Sequence, residues 1–260
     1  MNILFRADSS SLIGTGHIMR DLVLADQFRE NNTIIFSSMN LKGNINSEIV
    51  NDGYKLHTLV SNKKKELIKV IENYQIDFVV FDHYEIDYKF EQYIKEKTNV
   101  KILSFDDVYH KHYCDILLNH NLGANKKKYA KLVPSFCEIK CGSQFTKLRD
   151  EFILEKNKKI KKSKKNKKTA VFLAMGGSDP SEINIKVLKV LKKFPNMEVN
   201  LVTTQSNRNL NKLKEFVNKH KKNVNLYINS SKIASLMNKS DFAIVTPSVT
   251  LNEVYFMELP

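Results

Sequence analysis

Arginine is scarce in this chain, although its formal net charge is +14. Nearly all of the positive charge is lysine, and the arginines are confined to Arg6, Arg20, Arg29, Arg149 and Arg208. Arginine is the residue best suited to bidentate contacts with phosphates and bases, and no basic stripe interleaved with aromatic residues is present. We therefore expect no nucleic-acid partner. The lysine excess still favours a polyanionic small molecule through long-range attraction.

Cysteine is rare and long apolar stretches are absent from the sequence. The odd set Cys114, Cys137 and Cys141 has no C-x-x-C spacing, which disfavours a disulfide framework and a zinc site. No apolar run reaches the roughly 18 residues that a bilayer-spanning helix needs, and no charged-then-apolar leader opens the sequence. The sequence thus predicts a cytoplasmic protein with no membrane partner, and nothing in it requires more than a monomer.

Apolar runs of strand length alternate with amphipathic stretches of helix length throughout the chain. Strands are predicted at residues 2–6, 33–37, 56–59, 78–81, 101–105, 116–119, 169–175, 198–202, 226–228 and 242–246. Helices are predicted at residues 18–31, 63–73, 89–97, 182–193, 210–220, 232–238 and 250–257. This alternation is typical of β-α-β units, so we predict an α/β fold with a parallel sheet in each half.

A lysine-rich stretch separates the two halves of the pattern. Residues 156–168 consist almost entirely of Lys, Asn, Ser and Ile, a composition that buries too little apolar surface to fold by itself. We predict an N-terminal domain at residues 1–150, a linker at 151–168 and a C-terminal domain at 169–260. Because Pro260 stands where a further strand would be introduced, we expect the natural chain to continue beyond it.

A glycine-containing turn follows the first predicted strand. Gly14, Thr15 and Gly16 directly precede His17, at the start of the first predicted helix. Glycine lets the backbone adopt positive φ and approach a ligand closely, and the amides at a helix start attract anions. A histidine in this position can transfer protons near neutral pH. The segment indicates a catalytic centre, with a tight turn and a surface histidine as the alternative.

Two similar turns occur in the second half of the chain. Gly177 and Ser178 follow an apolar strand and precede a helix, so their backbone amides and hydroxyl could hold a phosphate. Ser248 and Thr250 follow the last predicted strand, and Glu253 lies in the first turn of the next helix. A carboxylate there can accept hydrogen bonds from a ribose, or it can simply be a favourable charge near a helix N-terminus. The pattern predicts a ligand held between the domains, with plain turn chemistry as the alternative.

Together these motifs closely resemble those of the UDP-sugar hydrolases of pseudaminic acid synthesis. The resemblance rests on R-x-D-S-S-x-x-I-G-x-G-H-x-x-R at residues 6–20, G-G-S-D-P at 176–180 and T-x-N-E at 250–253. It extends over essentially the whole chain. That family is related to the MurG-type glycosyltransferases, so the resemblance implies the GT-B fold, in which two Rossmann-like domains face each other across a cleft.

The resemblance implies an activity and a role for each motif. The expected reaction is hydrolysis of UDP-2,4-diacetamido-2,4,6-trideoxy-β-L-altropyranose to UDP and the free sugar, by C–O cleavage with inversion. His17 would be the base that activates water, Glu253 would bind the ribose, and Gly177, Ser178 and Asn252 would surround the diphosphate. UDP leaves as a stabilised anion, which helix N-termini and backbone amides can support, so neither a metal nor another cofactor is expected.

Polar residues near the same strand ends are further candidates for contacts with the sugar. Arg20, one helical turn after His17, contacts the substrate or forms a salt bridge with Asp8 or Asp21. Tyr84 contacts the sugar, positions the water or makes a structural hydrogen bond. Asp106 and Asp107 follow the next strand and either bind sugar substituents or cap a loop. Together with Asp82, at the end of the fourth predicted strand, they suggest a divalent-cation site, which the lack of supporting histidine or carboxylate spacing disfavours. The remaining histidines are expected at the surface or the core edge: His57, His83, His110, His112, His120 and His220.

Other enzyme classes remain open at this point. A GT-B glycosyltransferase would use a sugar hydroxyl in place of water, and the same base could activate either one. No long apolar helix for a membrane-bound acceptor flanks the first motif, which favours the hydrolase. An epimerase acting on UDP-sugars would need further acid and base residues.

Overall fold

The chain forms two α/β units, Met1–Lys147 and Leu148–Pro260, each with its own sheet. This computed structural model describes residues 1–146, 148–158 and 168–260.

The first unit contains, in its described residues, a seven-stranded parallel sheet ordered β3-β2-β1-β4-β5-β6-β7. Its strands are β1 (Asn2–Ala7), β2 (Thr33–Met39), β3 (Lys55–Leu59), β4 (Phe78–Asp82), β5 (Lys101–Phe105), β6 (Ile116–Asn119) and β7 (Glu138–Cys141). Its helices are α1 (Gly16–Phe28), α2 (Asn46–Asn51), α3 (Lys64–Asn73) and α4 (Tyr88–Thr98). Short 3-10 turns cover Arg29–Asn31, Lys126–Tyr129 and Ser143–Phe145.

The strand order of this sheet reverses between β1 and β4. Strand β1 pairs with β2 on one side and with β4 on the other, with Arg6 opposite Ser37 and Phe81. The central strands are buried on both faces, which is why they appear in the sequence as continuous apolar runs. In open α/β sheets, ligands bind beyond the carboxyl ends of the strands at such a reversal. The fold therefore marks the ends of β1 and β4 as the place for a site.

The second unit repeats the arrangement on a smaller scale. Its helices and strands are α5 (Asp150–Lys156), β8 (Thr169–Ala174), α6 (Ile183–Leu191), β9 (Met197–Thr203), α7 (Leu210–Lys219), β10 (Val224–Ile228), α8 (Ile233–Lys239), β11 (Phe242–Val245) and α9 (Val249–Phe256). In the described part of the unit, the parallel sheet has the order β10-β9-β8-β11, so its reversal lies between β8 and β11.

Every strand predicted from the sequence is present, with ends that differ by at most two residues, and three further helices or strands appear. These are β7, α2 and α5, all of them four to seven residues long. Helix α5 occupies the first part of the predicted linker, because Phe152 is buried against the second unit's core. The rest of the lysine-rich segment, residues 159–167, lies outside the described residues. In the described ranges no helix combines the length and apolar character needed to cross a membrane.

Candidate functional site

The reversal between β1 and β4 brings His17 and Asp82 together. His17 is the second residue of α1, which follows β1, and Asp82 is the last residue of β4. Gly14 reaches φ +89° in the connecting turn, where its amide donates to the carbonyl of Ser10 at 2.8 Å. A residue with a Cβ is strained in this region of backbone space. The glycine thus allows the turn that delivers His17 to the strand ends.

His17 is held on one side of its ring. Its Nδ1 lies 2.6 Å from Oδ1 of Asp82, and the two residues are only 8% and 1% exposed. Tyr84 meets the ring edge-on, with 4.9 Å between ring centroids, and its own side chain faces solvent. The predicted alternative of a plain surface histidine does not describe this position. His17 is instead an oriented imidazole at a strand-end reversal.

Arg20 also contacts Asp82 rather than either of the aspartates expected from the sequence. Its Nε and Nη2 donate to the two carboxylate oxygens of Asp82, and its Nη1 donates to Oδ2 of Asp107 at 3.0 Å. The guanidinium lies over the ring of Phe105, 4.6 Å from its centroid. Burial alone would neutralise the Asp82 carboxyl, but Arg20 and His17 hold its pKa well below the usual range. Asp82 is therefore an ionised carboxylate within the fold.

Asp21 is the contrasting carboxyl of this cluster. It is fully buried, and neither of its oxygens has a hydrogen-bond partner among the described residues. Burial and the nearby charge of Asp82 raise the pKa of Asp21 well above its usual value, while Arg20 opposes the shift. Its surroundings thus favour the neutral form of Asp21, in contrast to those of Asp82.

A second buried cluster joins β1, β2 and the loop after β4. Arg6 forms two parallel hydrogen bonds to Asp8, at 2.7 and 2.9 Å, and Asp8 also accepts from the amide of Met39 at 2.7 Å. His83 donates from Nε2 to Asp8 at 3.0 Å, since its Nδ1 accepts from the amide of Glu85. These bonds outweigh burial and hold the pKa of Asp8 well below its usual range. Arg6 and Asp8 of the first motif thus connect β1 to β2 and to the loop after β4.

A third cluster surrounds His112, which lies in the segment between β5 and β6. Its Nδ1 lies 2.7 Å from Glu91, and Asp106 is 3.8 Å from its Nε2. Burial disfavours the imidazolium, but the two carboxylates raise the pKa of His112 to about 9. Asp106 also accepts from the amides of Val108 and His110, as its loop-capping alternative predicts. The expectation of surface or core-edge positions is wrong for His112, because it occupies a buried ionic cluster.

In the second unit, the predicted phosphate turns follow two adjacent strands. Gly176, Gly177 and Ser178 come after β8, residues 246–248 come after β11, and the amide of Thr246 donates to the carbonyl of Ala174. The two turns therefore meet at the reversal of this sheet. A Cβ at Gly177 would lie 2.8 to 2.9 Å from the side chain of Thr204, so the glycine permits a close approach there.

The amides that open α6 already have an intramolecular partner. The buried carboxylate of Asp179 accepts from the amides of Ile183 and Asn184, at 2.8 and 3.1 Å. These two amides are therefore not available for an anion, and the expected phosphate site is limited to the turn formed by Gly176, Gly177 and Ser178. The sequence contains the Asp179 signal, because an aspartate ahead of a helix commonly caps its first amides.

The expected ribose-binding residue, Glu253, and the expected diphosphate contact, Asn252, both lie on α9. Asn252 and Glu253 are 5% and 7% exposed, and Nδ2 of Asn252 has no partner among the described residues. Arg149 donates to Oε1 of Glu253 at 3.1 Å. Burial raises the pKa of Glu253, while Arg149 opposes the shift. Ser248 is exposed and Thr250 is half-buried next to this pair.

The full-length sequence match decides the family. The UDP-2,4-diacetamido-2,4,6-trideoxy-β-L-altropyranose hydrolase of Campylobacter jejuni is 39% identical over 258 residues, which are 99% of this chain and 89% of that protein. The chain belongs to this UDP-sugar hydrolase family. The predicted resemblance and enzyme class are thereby confirmed. The chain is also similar to the spore coat polysaccharide biosynthesis protein SpsG of Bacillus subtilis, at 23% identity over 269 residues, with 100% of this chain and 76% of that protein covered. No family model matches the sequence.

Solved structures confirm the GT-B class for this member of the hydrolase family. MurG of Acinetobacter baumannii aligns with a TM-score of 0.59 at 10% identity, covering 98% of this chain and 76% of that one. A structure of MnaA from S. aureus with UDP aligns with a TM-score of 0.60 at 12% identity, covering 100% of this chain and 78% of that one. At such identities the likeness defines the fold alone.

Proposed function

We propose that this protein hydrolyses UDP-2,4-diacetamido-2,4,6-trideoxy-β-L-altropyranose to UDP and the free sugar, a step of pseudaminic acid synthesis. The observation that carries the proposal is the 39% identity to the Campylobacter jejuni hydrolase over 99% of the chain. The parallel sheets, with polar residues gathered at both strand-order reversals, support a ligand-binding enzyme of this kind.

In the proposed reaction, His17 acts as the general base. Its imidazole takes a proton from water, and the water oxygen forms a bond to the anomeric carbon on the face opposite UDP. The bond between that carbon and the diphosphate oxygen breaks, and its electron pair leaves with UDP. The free sugar consequently has the inverted anomeric configuration. The buried, oriented position of His17 beside Asp82 supports this role.

A single base is sufficient because of the leaving group. Most glycosidases need a second carboxyl group to protonate a poor leaving group. UDP departs as a stabilised anion and needs only electrostatic support, which backbone amides can supply without a metal.

We propose that Gly177 and Ser178 face the diphosphate, that Ser248, Thr250 and Asn252 line the same strand-end region, and that Glu253 binds the ribose. We propose Gly14, Thr15, Gly16 and Tyr84 as contacts on the sugar side.

Isotope labelling tests both the reaction and its bond cleavage. The protein is incubated with the UDP-sugar in ¹⁸O-water, and the products are analysed by mass spectrometry and, for the anomeric configuration, by rapid NMR. We expect the label in the free sugar and none in UDP. Label in UDP would mean attack at phosphorus and would exclude the proposed mechanism.

The same assay addresses transfer to a sugar acceptor, the alternative within this fold. A glycosyltransferase would release UDP slowly in water and rapidly once a sugar acceptor is added. We expect full turnover with water alone. Turnover that requires the added acceptor would contradict hydrolysis and would show that the protein is a glycosyltransferase. Prior treatment with EDTA should leave the rate unchanged, whereas a loss that Mg²⁺ restores would contradict the metal-free scheme.

A further inference from the structure

We propose that Asp82 is a positioning residue that holds the proton of His17 on Nδ1, so that Nε2 is the nitrogen that accepts the proton of water. Arg20 is its support, because it fixes the orientation of the Asp82 carboxylate. The inference rests on the proposed function, since it names how the proposed base is prepared. It adds two residues to the proposed reaction machinery, neither of which touches the reacting atoms.

The proton position follows from the contact between His17 and Asp82. Nδ1 and Oδ1 are 2.6 Å apart, a distance at which one hydrogen must lie between the two atoms. The two oxygens of Asp82 accept hydrogen bonds from Arg20, a side chain that remains a cation in proteins. Asp82 is therefore the ionised acceptor, and the hydrogen belongs to Nδ1 of His17.

The second ring nitrogen of His17, Nε2, is the one that can accept a proton from water. In the described residues, the hydrogen bond of this ring is the one between Nδ1 and Asp82; Nη2 of Arg20 lies 3.4 Å from Nδ1, but a guanidinium only donates and so makes no hydrogen bond to an Nδ1 that carries the hydrogen. A neutral imidazole with its hydrogen on Nδ1 has its lone pair on Nε2. The contact between His17 and the edge of Tyr84 limits rotation of the ring. The imidazole thus keeps one tautomer and one orientation.

Arg20 is committed to this support through every part of its guanidinium. Nε and Nη2 contact Asp82, Nη1 contacts Asp107, and the plane lies on the ring of Phe105. Because His17 and Arg20 are three residues apart on α1, they lie on one face of the helix. One carboxylate at the end of β4 can therefore bind both of them. These contacts assign Arg20 to positioning rather than to the predicted substrate contact.

The other carboxylates of the first unit have different tasks. Asp21 is buried behind the cluster and has no hydrogen-bond partner in the described part of the chain, and Asp8 is occupied by Arg6 and His83. Only Asp82, among the described carboxylates, lies within hydrogen-bond distance of the His17 ring. If Asp82 loses its charge, no other described carboxylate is therefore close enough to accept the hydrogen bond from His17.

The tautomer can be observed without any substrate. Long-range ¹H–¹⁵N correlation spectra of uniformly ¹⁵N-labelled protein distinguish a protonated ring nitrogen from a bare one, and His17→Gln identifies the His17 signals by their loss. In the unmodified protein, at a pH at which the imidazole is neutral, we expect Nδ1 of His17 to be protonated and Nε2 to be bare. A bare Nδ1 would overturn the inference directly, whether or not any variant folds.

Asp82→Asn then separates positioning from simple structural support. The amide should leave His17 as a mixture of tautomers. Glu91→Gln is the matched change at another buried histidine pair and should alter the signals of His112 without shifting those of His17. With the UDP-sugar, we expect Asp82→Asn to lower kcat by about 100-fold or more and to change KM less than threefold, in keeping with the scale of general-base catalysis.

The outcomes also distinguish this inference from the proposed function. An unmodified protein that releases no UDP from the sugar nucleotide contradicts the proposed function, while the spectra still test the proton position. An active protein whose Asp82→Asn variant retains its kcat and a single His17 tautomer contradicts the positioning role alone.

Discussion

At the scale of the residue, pairing with a carboxylate does not by itself distinguish a catalytic histidine. Three histidines of the first unit have such partners: His17 with Asp82, His83 with Asp8, and His112 with Glu91. His83 uses both ring nitrogens in structural hydrogen bonds, and His112 has carboxylates near both of its nitrogens. His17 differs from both because its hydrogen bond in the described chain is at Nδ1, and it differs from His112 also because it lies at the strand-order reversal.

Replacing His17 tests the base directly. His17→Asn removes the proton acceptor but keeps a small polar side chain, so we expect a normal melting temperature and a turnover reduced by roughly 10²- to 10⁴-fold. Continuous measurement of UDP release gives the rate, and thermal unfolding reports on the fold. His57→Asn, a half-buried histidine on β3, is the matched control and should retain its rate. Near-normal turnover of His17→Asn would remove His17 from the mechanism.

Asp21 should make the stability of the protein depend on pH in an unusual direction. Its pKa is raised in the folded state, so its contribution is present at low pH and is lost as the pH rises above the unfolded value. Asp21→Asn keeps the shape without the ionisation. Relative to this variant, the natural protein should lose up to about 1.4 kcal/mol of unfolding free energy per pH unit above about pH 4.

Urea unfolding of both proteins at pH 4.5, 6.0 and 7.5 measures that difference. We expect the two proteins to be similar in stability at pH 4.5 and the variant to be the more stable at pH 7.5. A difference that stays constant across the three pH values would mean that Asp21 does not titrate on unfolding in this range.

At the scale of the element, the turn before α1 depends on one glycine more than on the other. Gly14 has φ +89°, whereas Gly16 begins α1 without positive φ, and a Cβ at either would meet nothing within 4 Å. Gly14→Ala should therefore cost about 1 to 2 kcal/mol through backbone strain alone. Gly16→Ala should be neutral or stabilising by up to about 1 kcal/mol, because alanine favours the helix.

Chemical denaturation of the two glycine variants gives the comparison. Since both sites are open, a steric explanation would affect them equally, and only backbone conformation separates them. We also expect Gly14→Ala to lower turnover, because the strained turn displaces the start of α1 and with it His17. Equal stability losses in the two variants would contradict the strain argument.

The strands that are buried on both faces could be predicted from the sequence. β1, β4 and β8 are buried on both faces, so their apolar runs stood out in the sequence. β7, with the sequence Glu-Ile-Lys-Cys, was missed because an edge strand is only half-buried and this one has four residues. Helix α5 was missed because its lysine-rich surroundings concealed Phe152, whose burial only packing determines.

At the scale of the whole molecule, the proposed base and the proposed nucleotide contacts belong to different units. His17 lies in the first unit, and Glu253 lies in the second with its carboxylate bonded to Arg149. The UDP contacts should therefore be separable from catalysis by mutation. Glu253→Gln should raise the Kd for UDP about 10- to 100-fold, the range for the loss of a hydrogen bond to a charged group.

Calorimetric titration with UDP measures this effect. His17→Asn should bind UDP as the natural protein does, and Glu258→Gln, a change at an exposed glutamate paired with Lys156 just after α9, should do the same. An unchanged Kd in Glu253→Gln, together with a lower melting temperature, would mean that Glu253 serves only to pair with Arg149.

The sequence by itself determined the α/β class, the parallel strands, the family and the position of His17 in a glycine-bearing turn, because these depend on local patterns and motifs. Tertiary structure alone decided that Asp82 is the partner of His17 and Arg20. The physical reason is that β1 and β4 are distant in the chain and neighbours in the sheet. Which carboxylate meets which cation depends on strand order, and strand order results from the packing of the whole unit.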